Sequence, residues 1–361
     1  MSTDAESTAL DNFGGLIDWT RFSDWIAGKA AGTTAAIPGS GPVTGARKLA
    51  GGLQNAVFLV ERGNASFVLR RPSKHVREGS NETMLREARI LKALDGTAVP
   101  HPHFIASCDD QSVIGTCFYL MQPLEGFAQS GDLPGQYATD RAWRRAMGED
   151  LVRAAVSLAS VDPKDVGLAD LGKPDDWHSR QVSRWRKQLD GYRATPGYEA
   201  AALPHVDEVG RWLTDKLPSD RRIGIVHGDL QFPNVMFSLK APRVSGILDW
   251  ELASLGDPLL DLGWILSSWY EEGDPEGKKP MVRPWDGFLT RAELVGLYGE
   301  LSGRDMSAMP WYFALACYKL ACLLEGTYAR SLTGQVPANV GASVHAYAVW
   351  LMNKAIQITA G

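Results

Sequence analysis

The sequence predicts an α+β protein in two lobes, a small β-rich amino-terminal lobe and a larger, mostly helical carboxy-terminal one. Three observations carry this. Strand-like and helical runs in the order β-β-β-α-β-β fill residues 46–122. Amphipathic patterns of helical period dominate residues 123–361, interrupted by three short strand-like runs. The chain has 361 residues, 45% apolar and 22% charged, which suits an ordinary globular protein with two cores.

Residues 1–45 read as a helix and a connector. Leu16, Trp19, Phe22 and Ile26 recur at helical spacing and predict a helix over 16–31, and IPGSGPVTGA (37–46) reads as a Pro/Gly connector. Strands are expected at 47–50, 55–62 and 65–71. Gly51-Gly52 separates the first two, Gly63-Asn64 makes a hairpin turn, and Pro72 ends the third. Leu85, Leu91 and Leu94 share one side of a helix over 80–95, and Pro100 and Pro102 then break the pattern. Strands follow near 103–108 and 114–121.

Beyond Gly126 helices take over. Trp143, Met147, Leu151, Ala154, Leu158 and Val161 form an apolar stripe over 141–161. A charged helix over 178–192 keeps Trp185, Leu189 and Tyr192 on its apolar edge, and another covers 205–217. Strands are expected at 223–227, 235–238 and 244–249, and helices at 258–270, 290–302, 309–332 and 341–358. The loop 271–287, rich in Gly, Pro and charge, has the composition of a mobile segment.

The net charge is −5 with no long basic run, which argues against nucleic acid or an anionic membrane as the main partner. The acidic, polar first fifteen residues lack the pattern of a secretory signal. The apolar stretches Pro258–Trp269 and Trp311–Leu324 are too short or too interrupted to span a bilayer. Cys108, Cys117, Cys317 and Cys322 form no CxxC pair and are read as reduced core thiols of a cytoplasmic protein.

The chemistry concentrates in His227-Gly228-Asp229-Leu230-Gln231-Phe232-Pro233-Asn234 and in Ile247-Leu248-Asp249-Trp250-Glu251. Each follows an apolar strand-like run, so the polar groups sit on tight loops at strand ends. Phosphoryl transfer needs a carboxylate to orient the attacking hydroxyl and take its proton, and oxygen ligands for Mg²⁺. Asp229, Asn234 and Asp249 supply these at the spacing of the kinase pattern H-R-D-x-x-x-x-N followed by D-F-G. Asp and Asn are also ordinary turn residues, but two such turns in this order, distance and strand context single out catalysis.

Upstream, Gly51-Gly52-Leu53-Gln54-Asn55 lies between two strands and lacks the full G-x-G-x-x-G; it is either an ordinary turn or a loop whose Gly51, Gly52 and Asn55 backbone N–H groups cover phosphates. Arg70, in Phe67-Val68-Leu69-Arg70, stands where kinases carry V-A-I-K and is expected to hold nucleotide phosphates while pairing with a helix acid. Glu87 is the first candidate and Glu82 its competitor. Met121, Gln122 and Leu124 fall between the lobes, where backbone groups would meet the adenine edge and Met121 would either line the ring slot or belong to the core.

Together these residues resemble the aminoglycoside phosphotransferase-like family, a branch of the protein-kinase-like superfamily. The resemblance runs from about residue 45 to at least 335. It rests on IVHGDLQFPNVMF (225–237) and ILDWELASLGDPLLDLGW (247–264), supported by GGLQNAVFLV, FVLRRP and EARILKAL. LRRP, VIGTCFYLM, RQVSRW and DWELASLGDP look closest to the kinase-like domains fused to acyl-CoA dehydrogenases, a branch associated with phosphorylating hydroxy acids or their CoA thioesters. The resemblance implies a two-lobed protein-kinase-like fold, ATP held between the lobes, and Mg²⁺ on Asn234 and Asp249. It also implies Asp229 as base, His227 bracing the loop, and Asp261 pinning the loop's backbone. Arg70 departs from the usual kinase Lys, though a guanidinium also binds phosphate, in bidentate fashion. No A-P-E segment follows Asp249, which argues against a regulated protein kinase.

The acceptor is expected to be a small-molecule hydroxyl approaching from the second lobe. Arg180 and Arg184, with Arg186 and Lys187, would meet a carboxylate or CoA phosphates, or form a solvated basic face. Glu271, Glu272, Asp274 and Glu276, diluted by Lys278 and Lys279, are the acidic alternative that a polycationic aminoglycoside would prefer. Trp269, Tyr270 and Trp311 either line an apolar pocket or belong to the core.

Overall fold

Alternation in NAVFLVER explains how the first sheet is built. Ala56, Phe58, Val60 and Arg62 turn to one face and are buried, while the residues between them are more exposed. The computed structural model describes residues 10–32, 37–49, 55–73, 78–128, 130–199, 203–277 and 279–360. The chain divides into two units, Met1–Thr97 with His101–Leu124, and Ala98–Pro100 with Glu125–Gly361.

The first unit runs α1 (Trp19–Gly32), β1 (Val43–Lys48), β2 (Asn55–Arg62), β3 (Ala65–Pro72), α2 (Ser80–Leu94), β4 (Phe104–Cys108) and β5 (Phe118–Met121). Its five strands form one antiparallel sheet in the order β1-β2-β3-β5-β4. One face carries Phe58, Val60, Phe67, Leu69, Phe118 and Leu120, and Phe22 and Ile26 of α1 pack into that core. Leu16, Ile17, Phe22, Ile26 and Ile37, within the stretch set apart above as helix and connector, therefore belong to the core of the sheet. Helix α2 covers the other face, where Arg70 of β3 and Tyr119 of β5 both reach Glu87. Strand β1 begins at Val43, inside the stretch read as a connector and ahead of the expected 47–50. Gly45 and Pro42 suggested a loop, but pairing of Ala46 with Val60 and of Lys48 with Phe58 overrides weak local propensity.

The second unit contains β6 (Gly131–Asp132), α3 (Gln136–Thr139), α4 (Arg141–Ala159), α5 (Trp177–Gly191), α6 (Val206–Asp215), β7 (Gly224–Val226), β8 (Val235–Phe237), β9 (Val244–Ile247), β10 (Ser254–Gly256), α7 (Leu259–Ser268), β11 (Val282–Arg283), α8 (Arg291–Ser302), α9 (Met309–Leu332) and α10 (Ala338–Ala360). Asp140 caps α4 by accepting from Ala142 N, and Thr290 with Glu293 forms a capping box on α8. All ten residues of α7 are buried, the polar Asp261, Ser267 and Ser268 among them. Gly263 lets α7 approach α9, since a Cβ there would lie 2.5 Å from the Tyr312 carbonyl oxygen. Among the described residues no helix is long and apolar enough to cross a membrane. All four cysteines are free and buried.

Candidate active site

Two short antiparallel ladders place the polar residues. Strand β7 pairs with β10, Val226 opposite Ser254, and β8 pairs with β9, Val235 opposite Ile247. Leu248 N donates to the Asn234 carbonyl at 2.8 Å, which puts the Asn234 and Asp249 segments side by side. Asp249 itself has φ 62°, a left-handed conformation that Asp tolerates better than most residues.

The loop after β7 turns at Gly228, φ 83°. A Cβ there would lie 2.8 Å from the Leu252 carbonyl oxygen, so both conformation and space require glycine. Asp261, in the first turn of α7, accepts from His227 N and Gly228 N, each at 2.8 Å. Burial pushes its carboxyl up to about 6, against the pull of those two amides and of Lys319. The His227 ring is fully buried and lies 2.8 Å, through Nε2, from the Leu248 carbonyl, so Nε2 carries the hydrogen. Nδ1 is then the acceptor for Asp229 N at 3.3 Å. Burial holds the imidazole down at about 4, which keeps this neutral tautomer at pH 7.

Asp229 is half-buried, as are Asn234 and Asp249, in a surround of buried residues. Its Oδ1 accepts from Gln231 Nε2 at 2.6 Å and from Trp264 Nε1 at 2.7 Å, and its Oδ2 accepts from Asn234 Nδ2 at 2.6 Å. The carboxyl is pushed up to about 6, chiefly by desolvation. The Trp264 and Asn234 hydrogen bonds oppose the shift, as does Lys319, while Asp249 adds to it. Asn234 Nδ2 also donates to the Asp229 carbonyl at 2.9 Å. With the amide nitrogen engaged twice, Oδ1 is the atom left for a cation.

Trp264 and Lys319 were not singled out in the sequence, yet they support this loop. Lys319 of α9 is buried and donates through Nζ to the Gly228 carbonyl at 3.2 Å. It also lies over the rings of Trp264 and Trp185, at 4.6 and 5.3 Å. Burial lowers its ammonium to about 8, with Asp261 and Asp229 resisting. The available signals were slight: Trp264 falls one helical turn after Asp261, and Lys319 is a lone cation in the apolar run YFALACYKLACLL.

In the first unit Arg70 sits on β3, opposite Val57 of β2 and Tyr119 of β5, with Nε 3.0 Å from Glu87 Oε2. Glu87, not Glu82, is thus the pairing acid. Asn55 opens β2, and Met121 closes β5 opposite Val68. Gln122 is exposed and donates its N–H to the His103 carbonyl, and Leu124 is half-buried. Gly51 and Gly52 lie outside the described residues, as does Lys278.

Arg180 and Arg184 on α5 are exposed, and Arg184 lies over the Trp185 ring. Arg186 is already paired with Asp190 and Asp207. Trp269 belongs to the core: it is fully buried, stacks on Phe232, and donates Nε1–H to the Leu289 carbonyl. Trp311 is likewise buried and donates to the Leu213 carbonyl. Of the acids in 271–287, Glu271 and Asp274 are paired with Arg291, and Asp274 with Lys354 as well.

The sequence profile of the phosphotransferase enzyme family matches residues 45–294, which include every polar residue of this loop system except Lys319. The chain belongs to that family. It is 33% identical over 294 residues to acyl-CoA dehydrogenase family member 10 of Mus musculus, a match that covers 79% of this chain and 26% of that protein. The chain thus spans about a quarter of the length of this curated relative. A crystal structure from Ralstonia eutropha, provisionally named an aminoglycoside phosphotransferase, superposes with a TM-score of 0.77 at 28% identity. It covers 95% of this phosphotransferase and 98% of that chain. A thermostable mutant of aminoglycoside phosphotransferase APH(4)-Ia, solved with AMP-PNP and hygromycin B, shares the protein-kinase-like fold at TM-score 0.57 and 15% identity, over 94% and 98% of the two chains.

Proposed function

We propose that this phosphotransferase transfers the γ-phosphoryl group of ATP to the hydroxyl of a hydroxy acid or hydroxyacyl-CoA, with Asp229 as the base. The observation that carries the reading is the Asp229 carboxylate, fixed by Gln231, Trp264 and Asn234 through both oxygens and yet only half-buried. A hydroxyl oriented by that carboxylate attacks the γ-phosphorus, the bond from phosphorus to the ADP oxygen breaks, and the hydroxyl proton passes to Asp229. His227, Asp261 and Lys319 hold the backbone on which Asp229 rides.

Asn234 and Asp249 offer the oxygen donors that Mg²⁺ prefers, and the engagement of Asn234 Nδ2 leaves its oxygen for the ion. Bound there, Mg²⁺ neutralises phosphate charge. Arg70, held against Glu87, is the group offered to the nucleotide phosphates, with Met121, Gln122 and Leu124 offered to the adenine.

Two observations favour an acidic acyl acceptor. Arg180 and Arg184 are exposed on α5, whereas Glu271 and Asp274 are neutralised within the loop that would otherwise attract a polycation. Relatives such as the mouse protein are also named for acyl-CoA dehydrogenase. The likeness to the Ralstonia structure favours an amino sugar instead. An ADP-release screen of hydroxy acids and hydroxyacyl-CoAs against aminoglycosides, choline and sugars separates the two. Turnover with the acyl series is expected; turnover confined to amino sugars would assign the antibiotic-type acceptor. ATP binding without ADP release on any acceptor would point to a nucleotide-binding module.

A further inference from the structure

A second constellation lies in the first unit, apart from every residue assigned above. Asp95 follows directly on α2 as its C-terminal cap residue, and His101 and His103 lead into β4. Asp95 Oδ1 is 3.2 Å from His101 Nε2 and 2.8 Å from His103 Nδ1. The three potential ligand atoms all lie within 4.8 Å of one another.

The backbone explains the convergence. Residues i and i+2 of an extended segment face the same side, and Pro102 between the two histidines restricts His101 to extended conformations. The His103 carbonyl accepts from Gln122 N at 2.9 Å, which ties this segment to the sheet. The His101 side chain is 2% exposed and that of His103 is 59% exposed, so the cluster has a fixed inner ligand and an open outer side.

We propose that Asp95, His101 and His103 form a binding site for a divalent transition-metal ion of the zinc type. Zinc bonds of about 2.0–2.1 Å place tetrahedral ligand atoms roughly 3.3 Å apart. Two of the three edges already stand near that value, and the third is no longer than 4.8 Å. Two imidazole nitrogens and one carboxylate oxygen select Zn²⁺, Co²⁺, Ni²⁺ or Cu²⁺ over Mg²⁺ and Ca²⁺, which prefer all-oxygen shells. The open side leaves a fourth position for water. An ion here joins the end of α2, the helix that carries Glu87, to the start of β4, and so stiffens the support of Arg70.

The test uses the full chain without a histidine tag, freed of metal by chelator. Zn²⁺ is titrated by calorimetry, and Co²⁺ by the visible absorption of its four-coordinate state, both in excess Mg²⁺ so that Asn234 and Asp249 are occupied. One equivalent should bind, raise the melting temperature and give Co²⁺ bands. His103→Ala and Asp95→Asn should each weaken it by at least about 10–100-fold, the cost of losing even an outer-shell partner of a metal ligand. His103 is exposed, so its replacement leaves the fold intact. Binding that Mg²⁺ displaces, or that both variants retain at wild-type strength, would overturn the proposal. The same holds for the absence of a one-equivalent phase, which would leave two imidazole N–H groups sharing a carboxylate oxygen.

Discussion

Lys319 shows how much one buried charge contributes to the loop. Its ammonium sits between the Trp264 ring and the Gly228 carbonyl, one residue before Asp229. A hydrogen bond from a charged donor is worth about 1.5–3 kcal/mol. If that energy holds Asp229 in register, Lys319→Met should lower kcat by roughly 10–100-fold while leaving nucleotide affinity near wild type. Steady-state ADP release and calorimetry on the variant check this; unchanged kcat would reduce Lys319 to core filling. The contrast with Asp229, Asn234 and Asp249 is instructive. Those three fall within 21 residues and their spacing can be read along the chain. Lys319 stands 90 residues beyond Asp229 and meets the loop only through tertiary packing, so no local pattern marks it.

Helices of the second unit are joined through Asp257. Its carboxylate accepts from both terminal nitrogens of Arg304, from Tyr312 Oη of α9 at 2.7 Å, from Arg222 N and from Leu259 N at the start of α7, and it contacts His178 of α5. Burial alone would raise the carboxyl, but the hydrogen bonds from Arg304, His178 and Tyr312 outweigh it and hold the group well below the usual carboxylate range. A carboxyl depressed in the folded state contributes stability above its unfolded value of about 3.9, and that contribution fades as pH falls below it. Asp257→Asn should therefore cost about 3–5 kcal/mol at pH 7 by leaving the Arg304 charge buried and uncompensated. The gap to wild type should narrow below about pH 4. Denaturant unfolding at pH 7 and pH 3.5 measures both; a gap independent of pH would mean that Asp257 acts by packing. At this scale the long helices were plain in the sequence, because 309–332 and 141–161 carry sustained apolar periodicity. Strand β1 was misplaced because Pro42 and Gly45 flank and interrupt its Val43-Thr44 start, and the pairing with β2 that carries the strand through Gly45 is tertiary.

For the whole molecule, the order of elements and the two polar loops were legible because they are local and strongly patterned. The division was less so. Residues Ala98–Pro100 belong to the second unit although they lie within the sequence of the first. The reason is tertiary: Ile247 N donates to the Pro100 carbonyl, a contact that no composition shift announces. The acceptor was read through Trp269 as well as through Arg180 and Arg184, and an aromatic at the end of an apolar helix proved to be core. In the proposed reaction Asp229 orients the acceptor hydroxyl and takes its proton. Asp229→Asn tests it most directly, because the near-isosteric amide preserves the volume while removing the base. The account predicts wild-type nucleotide affinity by calorimetry and ADP release slowed by about 10²–10⁴-fold. Turnover near wild type, or loss of nucleotide binding together with turnover, would contradict it.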